Sequence, residues 1–238
     1  MKLKGGVITM GSLFWDEDPK RVLWRKRDLE DLSEKSPVRL KIRYGRKSGT
    51  RENTYTMIFS NGPSTGFGQG YILGFNNVID SFEKLEDYAF SLANAEGIWK
   101  TKPSLNAPKW GAVGLILNPN VDGEKKSDLN SVKEKWTKIY DGYNAYFNPS
   151  DYSVSDEKPV ININGFLEIE WTNEMEMYDF LLATPVKPTT LHPLTPKEIA
   201  EKMIEKGYFE YFEKNVSSGI RTFQDDEIQK ILGKQDVL

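Results

Sequence analysis

Residues 38–44 read Val38-Arg39-Leu40-Lys41-Ile42-Arg43-Tyr44, an unbroken alternation of apolar and basic side chains. Only an extended backbone sends successive side chains to opposite faces, so this run specifies a half-buried strand with one apolar and one basic face. Such a strand needs paired neighbours and a core against its apolar side, which confines the chain to folds built around a sheet. Further apolar runs supply the other strands: residues 6–10, 54–60, 70–75 and 112–117, with 161–171 as a strand interrupted at Gly165. Helical spacing lies between them. In residues 79–95 the positions Phe82, Leu85, Ala89 and Leu92 step by three and four to give one apolar stripe, and Gly97 stands where a helix would stop. Thr195-Pro196-Lys197-Glu198 joins a capping box to a proline at the first helical position, so another helix is expected from there to about Lys214. Residues 19–30 read as a polar helix or loop, and the charged segment 118–131 as the best place for a disordered loop. Strands come first and helices are interspersed without regular alternation, so the expected class is α+β, a mixed, barrel-like sheet with flanking helices.

At 238 residues and 38% hydrophobic composition the chain can bury a sizeable core. Pro185, Pro188, Pro193 and Pro196 mark a linker. The reading is therefore an α+β domain over residues 1–184 with a C-terminal helical extension, 185–238, packed on it. A net charge of −3 gives no global attraction to nucleic acid or an anionic membrane. Cysteine is absent, which excludes disulfides, thiolate nucleophiles and Cys-ligated zinc. Met1-Lys2-Leu3-Lys4 imitates the start of a signal peptide, but the apolar run after it is short, lacks a small-residue cleavage site and meets Trp15-Asp16-Glu17-Asp18. No stretch reaches membrane-spanning length, so a cytoplasmic protein is expected.

Several motifs carry less than they promise. Gly62-Pro63-Ser64-Thr65-Gly66 matches the G-x-S-x-G nucleophile elbow, with His192 downstream, yet the elbow requires a helix after the turn and here another strand follows. His192 is the only histidine and precedes a proline in the linker, which suits a solvated loop residue. One histidine and no cysteine argue against a transition-metal site. Residues 20–51 hold twelve Lys or Arg against four Asp or Glu. A basic strand face of Arg39, Lys41 and Arg43 could track an anionic partner, although a solvated face balanced by the acidic remainder explains the same pattern.

Glu96 is the informative carboxylate. It extends the stripe of Phe82, Leu85, Ala89 and Leu92 by four more residues, so a helix would turn it toward the core. Burial and the negative end of its own helix both disfavour the charge, raising its pKa toward the range useful for proton transfer. Fraying of the last turn is the competing outcome, letting Glu96 reach solvent or an arginine.

In order along the chain, several segments resemble the γ-glutamylcyclotransferase-like superfamily, in particular its glutathione-degrading branch. The family's opening strand and Gly-Ser loop are similar to Met10-Gly11-Ser12-Leu13-Phe14-Trp15-Asp16, its basic strand to residues 39–44, and its next two strands to 54–59 and 70–75. The helix bearing its catalytic glutamate resembles residues 79–96, ending Leu92-Ala93-Asn94-Ala95-Glu96-Gly97. The match covers roughly residues 6–100. It departs from the family at Met10, where a tyrosine is usual, and is hard to extend through residues 111–171. The resemblance implies a γ-glutamyl small molecule as substrate, bound by Met10, Gly11, Ser12, Leu13 and Phe14, with the backbone amides of Gly11, Ser12 and Leu13 nesting its carboxylate. It implies Glu96 as general acid and base in cyclisation to 5-oxoproline, with no metal or organic cofactor. The alternative is a non-catalytic binding module on the same fold that uses Arg39, Lys41 and Arg43.

Overall fold

The computed structural model describes residues 1–99, 101–143 and 145–233; residues 234–238 of the expected extension lie outside the described residues. Strand β1 (Gly5–Thr9) has the sequence GGVIT and is buried along its whole length. Such a strand can only sit in the middle of a sheet. It pairs antiparallel with β4 (Phe67–Gly74), Val7 opposite Leu73, and parallel with β8 (Phe180–Ala183), Val7 opposite Leu182. With β2 (Ser36–Lys47), β3 (Tyr55–Phe59) and β7 (Gly114–Leu117) this makes a six-stranded sheet in the order β3-β2-β4-β1-β8-β7. The architecture is mixed α+β: a curled, half-barrel sheet with flanking helices. A two-stranded ribbon, β5 (Asn106–Ala107) with β6 (Gly111–Ala112), lies beside it.

The curl is visible in β2, which pairs with β4 over residues 36–41 and with β3 over 42–47, with a register irregularity between Tyr44 and Arg46. A bulge of this kind bends a strand and increases its twist. The alternation expected for this strand therefore ends at Lys41. Beyond it Ile42, Arg43 and Tyr44 are all buried, because both faces of the bent strand are covered. Arg43 is thus no part of a solvent-facing basic surface. Its guanidinium grips both carboxylate oxygens of Glu157, at 3.1 and 3.0 Å.

Helix α1 (Ser12–Trp15) is a single turn, and α2 (Pro19–Asp28) starts at a proline under the Asp18 cap. Helix α3 (Phe82–Ala95) is capped by Ser81 and buries Phe82, Leu85, Ala89 and Leu92, the stripe read from the sequence. Residues 118–131 correct the expectation of disorder. They lead into α4 (Gly123–Asp141), a helix of 19 residues that buries Leu129, Val132, Trp136 and Tyr140. Those four positions keep a helical spacing that the charged N-terminal half of the segment obscures. Residues 161–171 are a second correction: they form isolated bridges around a turn instead of a strand. Gly165 sits there at φ 76°, and any side chain on it would run into the Tyr140 ring.

The predicted C-terminal helix is two, α5 (Pro196–Lys206) and α6 (Glu210–Ser217), with α7 (Asp225–Gly233) after them. Thr195 and Glu198 make the expected capping box, but Gly207, left-handed at φ 60°, ends α5 early. Ile199, Met203, Tyr211, Phe212, Ile220 and Ile228 join the same apolar core as the sheet. Among the described residues no helix is long and apolar enough to cross a membrane.

Candidate active site

The chain leaves β1 through Met10 and turns at Gly11, whose backbone has φ 65° and ψ −149°. A side chain there would also collide with the Tyr211 hydroxyl, so glycine is required on two grounds. α2 then pins the loop. Arg25 donates to the carbonyls of Leu13, at 2.8 Å, and Asp16. One turn earlier on α2, Arg21 donates to Ser12 Oγ (2.8 Å), Asp16 Oδ2 (3.0 Å) and Glu96 Oε2 (2.7 Å).

Glu96 is held by the end of α3. Its amide donates to the Leu92 carbonyl, Gly97 turns left-handed at φ 71°, and the Ile98 amide closes back on Ala93 at 2.8 Å. The side chain is only 10% exposed. Burial pushes its carboxyl above the ordinary carboxylate value, while Arg21 and, more weakly, Arg51 pull it back down. The end of α3 is closed by hydrogen bonds and not frayed, the carboxylate is turned inward, and it meets an arginine there. Among the described residues Oε1 has no hydrogen-bond partner.

Glu96 lines an open cleft whose near wall is Met10, Ser12 and Leu13. The rest of its lining includes Arg46 of β2, Met57 of β3, Arg51 from the turn between them, Trp110, Thr184 and Val186, and Tyr211 of α6. Arg51 stands on a tight turn in which Glu52 and Asn53 are both left-handed, at φ 51° and 59°. Its guanidinium lies 4.8 Å from the Tyr211 ring centroid and 3.9 Å from Asp16 Oδ2. Arg46 donates to the Lys187 carbonyl at 2.7 Å and, among the described residues, has no carboxylate within ion-pair distance; burial lowers its pKa. The Thr184 hydroxyl is buried without a partner. A half-buried guanidinium and unpaired donors lose hydration that an anionic ligand would replace.

Of the residues named from the sequence, Met10, Ser12, Leu13 and Glu96 meet in this cleft, and Gly11 forms the turn behind it. Phe14 does not line it. Side chains on a helical turn point in different directions, and Phe14 stacks on Tyr71 in the core at 4.9 Å. Arg39 and Lys41 lie elsewhere, against the Phe67 ring. His192 is 62% exposed in the linker, and Ser64 is exposed between two strands with no helix behind it. No group of three or more His, Asp or Glu among the described residues is placed to hold a metal ion. Arg21, Arg46, Arg51 and Tyr211 were not singled out from the sequence. The first three belong to the basic stretch 20–51, where only their contacts distinguish them from solvated charges. No protein-family model, curated protein or solved structure matches the chain.

Proposed function

We propose that the protein is a γ-glutamylcyclotransferase-like enzyme that converts a γ-glutamyl amine or peptide to 5-oxoproline, with Glu96 as general acid and base. The observation that carries this reading is a nearly buried carboxylate with one oxygen free, sharing a cleft with the Met10, Ser12 and Leu13 loop and with several guanidinium groups. The curled sheet and the order of its segments are compatible with a γ-glutamylcyclotransferase-like fold.

The chemistry asks for alignment and one proton. The substrate's α-amine attacks its own γ-carbonyl carbon; the new C–N bond closes a five-membered lactam as the original amide C–N bond breaks. Glu96 Oε1 takes the proton from the attacking amine and returns it to the leaving nitrogen, so no water and no net proton is consumed. A carboxyl held above its ordinary pKa suits both halves of that exchange. The substrate's α-carboxylate is held between Arg51 and the amides of Ser12 and Leu13, for which the described residues provide no acceptor.

Glu96→Gln tests the proposal. With a panel of γ-glutamyl compounds, the wild type is expected to release 5-oxoproline and the variant to lose about a hundredfold or more in rate, the usual scale for positioned acid–base catalysis. An equally active variant would remove Glu96 from the mechanism. A wild type inert across the panel would overturn the reaction itself.

A further inference from the structure

The sequence assigned no role to the C-terminal third, yet it brings Thr184, Val186 and Tyr211 to the cleft, and of these Tyr211 comes from a helix. Tyr211 stands on α6 and is 4% exposed, and what little of it is open lines the cleft beside Arg51. Its phenolic oxygen accepts a hydrogen bond from the Met57 amide at 3.2 Å. Among the described residues nothing accepts the phenol's own proton. The neighbouring Asn215 supplies no acceptor for it: its Oδ1 is taken by Trp15 Nε1 at 2.7 Å, and its buried Nδ2, a donor, is unpartnered. The bond Tyr211 Oη makes on the protein side is thus one it accepts, leaving its hydrogen for whatever occupies the cleft. Burial holds the phenol above its ordinary pKa, so the proton is present at neutral pH. The hydroxyl also sits directly against Gly11, at the turn that begins the near wall.

We infer that Tyr211 is a ligand-binding residue: its phenolic O–H donates to the substrate's α-carboxylate beside Arg51, so the C-terminal segment completes the site. The inference rests on the cyclisation reading for the identity of the carboxylate. The ring serves as a platform for the Arg51 guanidinium, and the hydroxyl adds a directed donor to the same anion. Removing the hydroxyl weakens ground-state binding, because the α-carboxylate takes no part in bond making. The effect belongs in KM rather than kcat.

The test titrates 5-oxoproline, and its amide in which the carboxylate is replaced, into wild type and Tyr211→Phe. Phenylalanine keeps the ring, its packing and the Arg51 contact. The variant is expected to bind 5-oxoproline about tenfold or more weakly, as befits a lost hydrogen bond to a charged group, while its affinity for the amide changes little. A merely structural role would weaken both ligands alike, and an unchanged acid-to-amide ratio overturns the inference. Should Tyr211→Phe fail to fold, 3-fluorotyrosine at position 211 keeps the phenol. Its fluorine resonance should then move with the acid and not with the amide, and no movement overturns the inference. A wild type that binds 5-oxoproline but never forms it refutes the cyclisation reading alone, and one that binds neither ligand refutes both.

Discussion

Two arginine–glutamate pairs lie inside this molecule, and they are built differently. Arg43 is 1% exposed and bonded through all three nitrogens: Nε donates to Ser60 Oγ, Nη1 to the Tyr44 carbonyl, and Nη2 to both oxygens of Glu157. Arg21 spreads its donors over Ser12, Asp16 and a single oxygen of Glu96. Glu157 has no oxygen to spare, whereas Glu96 keeps one facing the cleft. A buried ion pair with both carboxylate oxygens engaged fixes the bend of β2 against the segment around residue 157. One left incomplete beside open volume keeps an oxygen free for a proton or a ligand. On the proposed reading, pairing and access together separate a structural carboxylate from a chemical one.

The largest effect expected from this contrast is on stability. Arg43→Met leaves Glu157 buried without its partner, which costs about 3–5 kcal/mol and, in a chain of this size, lowers Tm by roughly 6–20 °C. Adding Glu157→Leu is expected to recover most of that loss, because an apolar pair of similar volume removes both charges from the interior. Glu96→Gln, by contrast, should change Tm little or raise it. Thermal denaturation of the four proteins checks the contrast, and it breaks if Arg43→Met melts with the wild type.

A third carboxylate sharpens the comparison, because it has a free oxygen but no cleft. Asp225 accepts from the Thr222 hydroxyl through Oδ1, while its Oδ2 is sealed in without a partner, as is Arg221 Nη1. Burial pushes its carboxyl from 3.8 up to about 6, against the pull of Thr222, Arg221 and Tyr44. The folded chain therefore holds this proton more tightly than the unfolded one. The contribution to stability is complete below the unfolded value and is lost as pH rises through about 6, a difference of about 3 kcal/mol. Asp225→Asn should melt higher than wild type at pH 8 and flatten the stability profile between pH 4 and 7. An unchanged slope would mean that another group carries it. Unlike Glu96→Gln, this variant should leave turnover intact.

These pairs also show where the sequence is legible. Period-two alternation announced β2, apolar runs announced β3 and β4, and three-and-four spacing announced α3 and its continuation to Glu96, because those patterns follow from backbone geometry and burial. The bend in β2 is tertiary. Nothing in the alternation of residues 38–44 says that the sheet curls after Lys41 and takes Arg43 inside. The same limit hid most of the cleft. Arg21, Arg46 and Arg51 sit in the basic stretch beside Lys20, Lys26 and Lys47, which remain exposed; residue type is the same, and only contacts distant in sequence divide them. Helix α4 was missed for a local reason. Its first turns are charged, and its apolar stripe begins only at Leu129. Gly207 could have been read as a stop within the predicted C-terminal helix, since glycine just past a helical turn is its own signal.

Arg21 offers the smallest and most discriminating effect. After burial it is the strongest influence on Glu96, through its charge and its hydrogen bond, and both favour the ionised form. Arg21→Gln removes the charge and shortens the side chain, so its bonds to Ser12, Asp16 and Glu96 are lost together. Glu96 then moves further above its ordinary value, so the acid limb of kcat/KM shifts to higher pH. A charge-assisted hydrogen bond of about 1.5–3 kcal/mol corresponds to roughly tenfold or more in rate on the acid side of the profile. The deficit should shrink as pH rises and Glu96 ionises without help. A full pH–rate profile of wild type and variant decides the matter. If the loss is the same at every pH, Arg21 acts only by fastening Ser12 and Asp16, and its bond to Glu96 would be as structural as the one between Arg43 and Glu157. If the limb moves as described, the incomplete pair sets the proton affinity of the base, which the pair of Arg43 and Glu157, with no cleft beside it, has no means of doing.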